Sequence, residues 1–492
     1  MPTVEGIGIA LGGFALDLYV SGDPVSRRVP LKRLRTPEAL LDLEDPLKIA
    51  DARPAGDGVR VVFSDGEVVD FPIESLLGPP PGEDDLDAVV FNAAAVLTMR
   101  EPAEMPLGRI AHGAVAIRGG RVAWVGLESD LALAGSIGPR TVRIDAERGL
   151  VTPGFIDAHT HPVFGGTRAS EFALRAAGKS YADIQAAGGG IYATVRATRD
   201  AEPADLLQGA RVRLSRMLAW GVTSCEAKSG YALAPAGELA LLGVLGEAAA
   251  GHAVDLSPTL LAHVLPEDYA DRRAEYVQAF AGALVHDVVR ARLADSCDVY
   301  CDQGAFTLDE ARTILTAAKT AGLAPRLHAE QFTRTGAAEL AAQLGARSAD
   351  HLEQISDAGV VMLAQAGVVA TLLPGAALAL RLPWPPARRL ADAGVRIALG
   401  TDCNPGSSMT EALPLMMSIG CMQMGLTVEE AWMGVTAHAA RAIGRGDLGR
   451  LVPGARADLA VFACDDPAYV PYHYGHNHVH LVVKDGSVAY RA

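Results

Sequence analysis

The stretch Phe155-Ile-Asp-Ala-His-Thr-His-Pro162 decides the reading of this chain. Apolar residues lead it and a proline closes it, as for a short buried strand. Side chains alternate along a strand, so His159 and His161 face the same way. Two neutral imidazoles on one side make half of a divalent-metal site. Two core histidines with satisfied hydrogen bonds would look the same locally. The other ligands therefore have to be found elsewhere in the chain.

Around this stretch, short apolar runs alternate with longer Ala- and Leu-rich helical segments. Eight strand candidates follow in order, ending near His161, Glu226, His263, Asp302, His328, His351, Pro374 and Asp402. Such alternation predicts an α/β fold with a parallel sheet, and eight turns predict a closed (β/α)₈ TIM-like barrel. Chemistry in such barrels sits where the strands end. Most of the candidates end in a polar or ionisable residue. Polar residues that only cap the next helix account for one or two of these, not for most.

The missing ligands have candidates among these ends. Leu327-His328 closes the fifth strand and Thr401-Asp402 the eighth. His159, His161, His328 and Asp402 together offer three nitrogens and one oxygen, with room for water. Asp402 can also take a proton from that water. The expected cofactor is one divalent metal, zinc by preference and iron as the alternative. No lysine follows the fourth strand to bridge two ions; Cys297-Asp-Val-Tyr-Cys-Asp302 stands there. Cys297 and Cys301 alone make an incomplete thiolate site. His351 is placed to orient water or polarise a carbonyl, and His263 to contact a substrate.

The chain ends read differently. Residues 1–80 look like an appended β-rich module with a weak internal repeat. Phe14-Ala-Leu-Asp-Leu-Tyr-Val20 and Val59-Arg-Val-Val-Phe63 are its strands, and Ser64-Asp-Gly66 is a hairpin turn. Its role is not legible. Pro79-Pro-Pro-Gly-Glu-Asp-Asp85 is a linker. Residues 81–150 and 447–492 share short β runs with glycine turns, and are expected to form one composite β-sandwich. Residues 151–446 are the barrel.

Bulk properties exclude several classes. The chain has 492 residues, half of them hydrophobic, and a formal net charge of −15. Nucleic acid and anionic membrane surfaces are poor partners for it. Six cysteines are few for this length and suit a reducing compartment. The N-terminus carries Glu5 and no early lysine or arginine, which fails as a secretion signal. No apolar run reaches the roughly 18 residues of a membrane span. A cytoplasmic enzyme acting on a small molecule is the expectation.

The Pro153-Gly-Phe-Ile-Asp-Ala-His-Thr-His161 string resembles the first barrel strand of the amidohydrolase superfamily. From about residue 88 onward the chain resembles imidazolonepropionases. The matching strings are His159-Thr-His-Pro-Val-Phe-Gly-Gly-Thr-Arg168, Gly178-Lys-Ser-Tyr181, Gly188-Gly-Gly-Ile-Tyr-Ala-Thr194, Glu226-Ala-Lys-Ser-Gly-Tyr231, His328-Ala-Glu-Gln331 and Asp402-Cys-Asn-Pro-Gly-Ser-Ser408. The resemblance implies hydrolysis of 4-imidazolone-5-propanoate to N-formimidoyl-glutamate in histidine degradation, by a homodimer. It implies that Arg168 grips the propionate and that Tyr231, His263, Gln331, Asn404, Gly406 and Ser407 position the substrate. Asp402 and His351 carry the chemistry, with His263 beside them. The planar fork of an arginine suits a carboxylate. Related zinc deaminases carry glutamate three residues after the fifth-strand histidine; here Gln331 cannot donate a proton, so binding is its expected role. Glu330 should point the other way if the strand continues. The alternative is another mononuclear amidohydrolase or an aminohydrolase acting on a small heterocycle, and Gln331 argues against the latter.

Two other features compete for attention. Tyr472-His-Tyr-Gly-His-Asn-His-Val-His480 resembles a metal tract but is read as the entry to a strand. Gly188-Gly-Gly190 lacks the lysine of a phosphate loop and reads as a mobile loop over the site.

Overall fold

The computed structural model describes residues 4–10, 15–20, 27–30, 49–55, 58–63, 67–72, 85–100, 105–179, 183 and 188–492. Phe14, the Ser64-Asp-Gly66 turn, most of the 79–85 linker and Ser180-Tyr181 lie outside the described residues. The chain forms two compact units, one of residues 1–87 with 135–142, the other of 88–134 with 143–492.

In the first unit, Val4–Ala10, Ala15–Val20 and Arg27–Pro30 form one antiparallel sheet, and Ile49–Ala55, Gly58–Phe63 and Val68–Pro72 another. Both are three-stranded meanders. Val59, Val61 and Phe63 are buried. Arg60, on the opposite face, pairs with Asp70 across the ladder. This is the alternation of a sheet with one wet face.

The second unit holds the barrel. Its strands are β1 (Phe155–Asp157), β2 (Val222–Lys228), β3 (Asp255–Ala262), β4 (Ser296–Cys301), β5 (Ala324–Ala329), β6 (Ser348–His351), β7 (Val369–Leu372) and β8 (Ile397–Leu399). They pair in parallel, in sequence order. The ends of β1 and β8 meet through a parallel bridge between Thr160 and Cys403. Asp402 N donates to His159 O and His161 N to Cys403 O there. These are the eight strands expected from the sequence.

The helices around the barrel show how the chain encodes them. Leu308–Ala321 buries Ala311, Ile314, Leu315 and Ala318, one face at helical spacing. It starts at a capping box between Thr307 and Glu310 and ends at Gly322, whose φ of 103° suits glycine. Pro203–Ala219 starts with proline and buries Leu206, Ala210, Leu214 and Met217 at the same period.

A second core lies between two smaller sheets. One has four strands, including Ala88–Phe91, Gly113–Arg118 and Arg121–Leu127. The other has six, including Ala95–Leu97, Leu150–Pro153, Leu459–Phe462 and Val479–Lys484. Leu459 and Val461 point into this second core, whereas Ala460 and Phe462 belong to the barrel's. The strand Leu459–Phe462 is apolar throughout because both of its faces are buried. Phe462 packs tilted against Phe155 and edge-on to Trp432, at centroid distances of 5.1 and 5.4 Å. Leu150–Pro153 lies in the six-stranded sheet, and Gly154 makes the step to β1. A side chain at Gly154 would meet Thr223.

Candidate metal centre

Every strand-end histidine expected from the sequence reaches one region at the C-terminal mouth of the barrel. His159 and His161 follow β1, with Nε2 atoms 3.3 Å apart. Asp402 Oδ1 lies 3.5 Å from His159 Nε2 and 3.4 Å from His161 Nε2. The His328 ring stands 4.6 Å from that of His159. Ligand atoms of His159, His161 and His328 all lie within 4.8 Å of one another. A tetrahedral cation with bonds of about 2.1 Å sets its donor atoms about 3.4 Å apart, close to the 3.3–3.5 Å between the two Nε2 atoms and Asp402 Oδ1.

The protonation states suit a cation. His159 Nδ1 lies 2.7 Å from Asp350 Oδ2 and donates to it, so its Nε2 carries a lone pair. His328 Nε2 is buried and has no hydrogen-bond partner. Burial, with Lys228 nearby, holds the His159 imidazole well below its usual range. Burial also lowers His328, against the opposing pull of Asp298. For Asp402, burial works to raise the carboxyl, but His161, with His351 and His328 beside it, outweighs burial and the net effect is downward. Neutral imidazoles and an ionised carboxylate are the forms that ligate.

Asp157 holds this geometry from the β1 side. It accepts from Thr401 N at 3.0 Å and Thr401 Oγ1 at 2.6 Å, which ties β8 to β1. Burial pushes its carboxyl up to about 7. Ser407 Oγ, 3.1 Å from Asp402 Oδ2, supports the far side of that carboxylate.

His351 has a φ of 76°, which throws its ring toward the mouth, 5.3 Å from His328 and 5.8 Å from His159. Its Nδ1 is 3.7 Å from the buried Glu353. Burial lowers the imidazole, but Glu353 more than compensates and the net effect is upward. His263 donates through Nδ1 to Gly230 O at 3.1 Å and stacks on His161 at 5.5 Å. Tyr231 lies 5.3 Å from His263 and 5.8 Å from His161. Glu238 shapes the Tyr231 turn by accepting from Gly230 N, Ala232 N and Leu233 N at 2.6–2.9 Å.

The anion side departs in detail from the simple picture of a free arginine fork. Arg168 Nε and Nη2 both donate to Glu171 Oε2, at 2.9 and 2.7 Å. Glu171 Oε1 accepts from Gly190 N, so the Gly188-Gly-Gly190 segment is anchored to the arginine's own partner. Arg168 Nη1 lies against Gly406, where a Cβ would come within 2.4 Å of it. The Asn404 amide is engaged inside its turn: it donates to Asp402 O and Ser407 Oγ and accepts from Gly406 N and Ser407 N. Asn404 therefore builds the loop that faces Arg168.

Gln331 Oε1 accepts from Tyr300 OH at 3.0 Å. Glu330 does not continue the strand, because its φ is 57°. Its Oε1 accepts from Gly336 N, toward the helix Ala337–Leu344. The tract at 473–480 leads into the strand Val479–Lys484, as read from the sequence. The rings of His473, His476 and His478 stand 4.7–5.0 Å apart. None of these three belongs to the group His159, His161 and His328, whose ligand atoms lie within 4.8 Å of one another. A cavity of about 490 Å³ lined by Arg273, Asp302–Thr307, Thr333 and Thr335 contains none of these histidines.

Sequence reasoning passed over the supporting residues: Asp157, Glu171, Lys228, Glu238, Asp298, Arg326, Asp350 and Glu353. Several stand one or two positions from a chosen residue, and a buried charge beside a ligand was the available signal.

Residues 150–489 match the amidohydrolase family. The chain is 48% identical to the imidazolonepropionase of Anaeromyxobacter dehalogenans (strain 2CP-1 / ATCC BAA-258) over 408 residues, 82% of this chain and 96% of that protein. It is 46% identical to that of Myxococcus xanthus (strain DK1622), over 83% of this chain and 98% of the relative. Against that of Geobacillus sp. (strain WCH70) the identity is 41%, over 82% and 98%. Among solved structures, an adenosine deaminase from Xanthomonas campestris with bound zinc aligns with a TM-score of 0.64 at 20% identity, over 83% of this chain and 93% of that one. N-isopropylammelide isopropylaminohydrolase from Burkholderia multivorans ATCC 17616 aligns at 0.61 and 20%, over 82% and 98%. At these identities the structural likeness bears on the fold alone.

Proposed function

The chain belongs to the amidohydrolase family and, within it, to the imidazolonepropionases, and we propose from that premise how its own residues hydrolyse the ring amide of 4-imidazolone-5-propanoate to N-formimidoyl-L-glutamate. The family is metal-dependent, and a three-imidazole site is present. In this reading His159, His161, His328 and Asp402 hold one divalent cation. Zinc is preferred and iron is the alternative, since the donor set and spacing suit a tetrahedral N₃O ion. The observation that carries the site reading is the mutual 3.3–3.5 Å separation of two Nε2 atoms and Asp402 Oδ1.

A bound cation polarises the ring carbonyl and makes water a usable nucleophile at neutral pH. Asp402 accepts the proton of the attacking water and passes it to the departing ring nitrogen. Ser407 keeps the second oxygen of that carboxylate fixed while this happens. His351, backed by Glu353, faces the carbonyl oxygen and stabilises the charge that develops on it. Arg168 binds the propionate carboxylate; the Gly406 and Ser407 N–H groups of the facing turn are held by Asn404 and shape the loop instead. Tyr231 and His263 wall the ring on the side of His161. Gln331 positions the amidine edge and exchanges no proton. The Glu330 carboxylate is bonded elsewhere and takes no part.

The finer expectations of a homodimer and a cytoplasmic location belong to the same reading, and light scattering checks the first. The direct test is to incubate the protein with imidazolone propanoate, follow loss of the substrate's ultraviolet absorbance, and measure bound metal by elemental analysis. Turnover with about one equivalent of zinc or iron is expected. Full activity in metal-free protein would overturn the site reading.

A further inference from the structure

Five buried charged side chains lie directly beneath the imidazoles, and the mechanism above uses none of them. Lys228 Nζ is 2.6 Å from Asp298 Oδ2 and 2.7 Å from Glu226 Oε1. Glu226 Oε1 is 3.6 Å from Arg326 Nε. Arg326 Nη2 is 3.4 Å from Asp350 Oδ2 and donates to Ala158 O, next to His159, at 2.9 Å. The two outer carboxylates then reach the ligands. Asp350 Oδ2 accepts from His159 Nδ1 at 2.7 Å. Asp298 grips His328 twice: Oδ1 accepts from the backbone N at 3.0 Å, and Oδ2 lies 2.9 Å from Nδ1. That second approach is out of line with the ring N–H, so it acts as an electrostatic contact rather than an aligned hydrogen bond. All five side chains are fully buried.

The residues come from different strands: Glu226 and Lys228 from β2, Asp298 from β4, Arg326 from β5 and Asp350 from β6. With His159 and His328 they make a closed loop of contacts. Three carboxylates against two cations leave one negative charge under the cation site. A cluster of buried charges is a poor way to gain stability, because desolvation offsets the attraction. What the cluster touches explains it better: it ends on the Nδ1 atoms of two imidazoles whose Nε2 atoms are needed elsewhere.

We propose that Lys228 is a positioning residue for the metal centre: with Arg326 and Glu226 it fixes Asp298 and Asp350, which hold His328 and His159 with their Nε2 atoms turned to one cation. The proposal rests on the metal-ligand reading above.

The test uses the full chain, stripped of metal and titrated with zinc against a competing chelator, with thermal melting in parallel. Lys228→Met should weaken zinc binding by roughly 10- to 100-fold, the usual effect of losing a ligand's outer partner. Lys484→Met is the matched control. Lys484 is also buried between two carboxylates, 2.6 Å from Asp458 and 2.8 Å from Asp255, but touches no ligand. It should lower the melting temperature comparably and leave zinc affinity within about 2-fold of wild type, since distant sites act independently. Wild-type affinity in a folded Lys228→Met variant overturns the proposal. If that variant does not fold, Lys228→Met/Asp298→Asn restores the charge balance. Its zinc affinity should then match that of Asp298→Asn alone, and a further additive loss overturns the proposal. Wild-type protein that takes up no zinc overturns both this proposal and the ligand reading beneath it.

Discussion

Gly406→Ala tests the proposed anion clamp, because its sharpest new contact is with Arg168. Gly406 is outside the left-handed region, so its backbone accepts alanine without strain. The new Cβ would stand 2.4 Å from Arg168 Nη1 and 3.3 Å from its Cζ. An ordinary contact needs about 3.5 Å, so the guanidinium has to retreat by about 1 Å. Its other edge is fastened to Glu171 by two hydrogen bonds, so the retreat tilts the fork away from the 404–407 turn. A charge-assisted hydrogen bond contributes about 1.5–3 kcal/mol. Losing one from the propionate lowers kcat/KM roughly 10- to 150-fold, at about 1.4 kcal/mol per decade. The carboxylate is remote from the breaking bond, so the loss should fall on KM with kcat nearly unchanged. The assay is steady-state kinetics on imidazolone propanoate, with melting temperature and metal content measured alongside. Both of those should stay at wild-type values. A KM within about 2-fold of wild type, against the range just derived, would refute the assignment of Arg168 as the carboxylate's seat.

Asp402→Asn should cost about 10²–10⁴-fold in kcat, the usual contribution of general acid–base catalysis; a kcat near wild type would show that another group carries the proton. Gln331→Glu keeps the acceptor for Tyr300 and should not raise kcat; a gain of about 10²-fold would mean that a general acid is missing here. Removing the metal with a chelator should abolish activity and lower the melting temperature, because the ion binds only the folded state; unchanged melting would argue against a preformed site. Burial outweighs three backbone donors at Glu238 and raises its carboxyl above the usual range. A raised carboxyl contributes stability below its unfolded pKa and loses it as pH rises through the folded one. The melting advantage of wild type over Glu238→Gln should therefore shrink from about pH 4.5 upward; an advantage that grows with pH contradicts this.

The barrel was legible because its signal is redundant. Each strand is a short apolar run, and most runs end in a side chain with chemistry, so errors at single boundaries do not move the conclusion. His159, His161, His328 and Asp402 could be chosen because a strand fixes direction: residues at its C-terminal end point to the mouth. The supporting shell was less legible. Glu226 read locally as a strand-end polar residue and Asp350 stood beside the chosen His351, while the contacts that join the shell link residues 70 positions or more apart, as in Lys228 with Asp298 and His159 with Asp350. Pairing between side chains on non-adjacent strands leaves no periodicity. Asn404 is a similar case. Its residue type marked a polar contact, but whether an amide faces a ligand or its own turn depends on backbone angles that composition does not encode.

Glu330 shows how one dihedral redistributes chemistry. If β5 had continued past Ala329, alternation would have set Glu330 opposite Gln331 and left its carboxylate to the barrel wall. Instead the positive φ at Glu330 ends the strand there, and its carboxylate closes onto Gly336 N. Gln331 is left beside Tyr300. The fifth strand therefore delivers one imidazole and one neutral amide to the mouth and no second acid. The acidic groups that do reach the imidazoles sit on the other side: Asp402 facing Nε2 of His159 and His161, and Asp298, Asp350 and Glu353 facing Nδ1 of His328, His159 and His351. Only the first of these can meet a substrate, because the other three are buried behind the rings they hold. A single carboxylate able to carry a proton both ways is thus a consequence of how the strand ends, and it is the reason the reaction is assigned to Asp402.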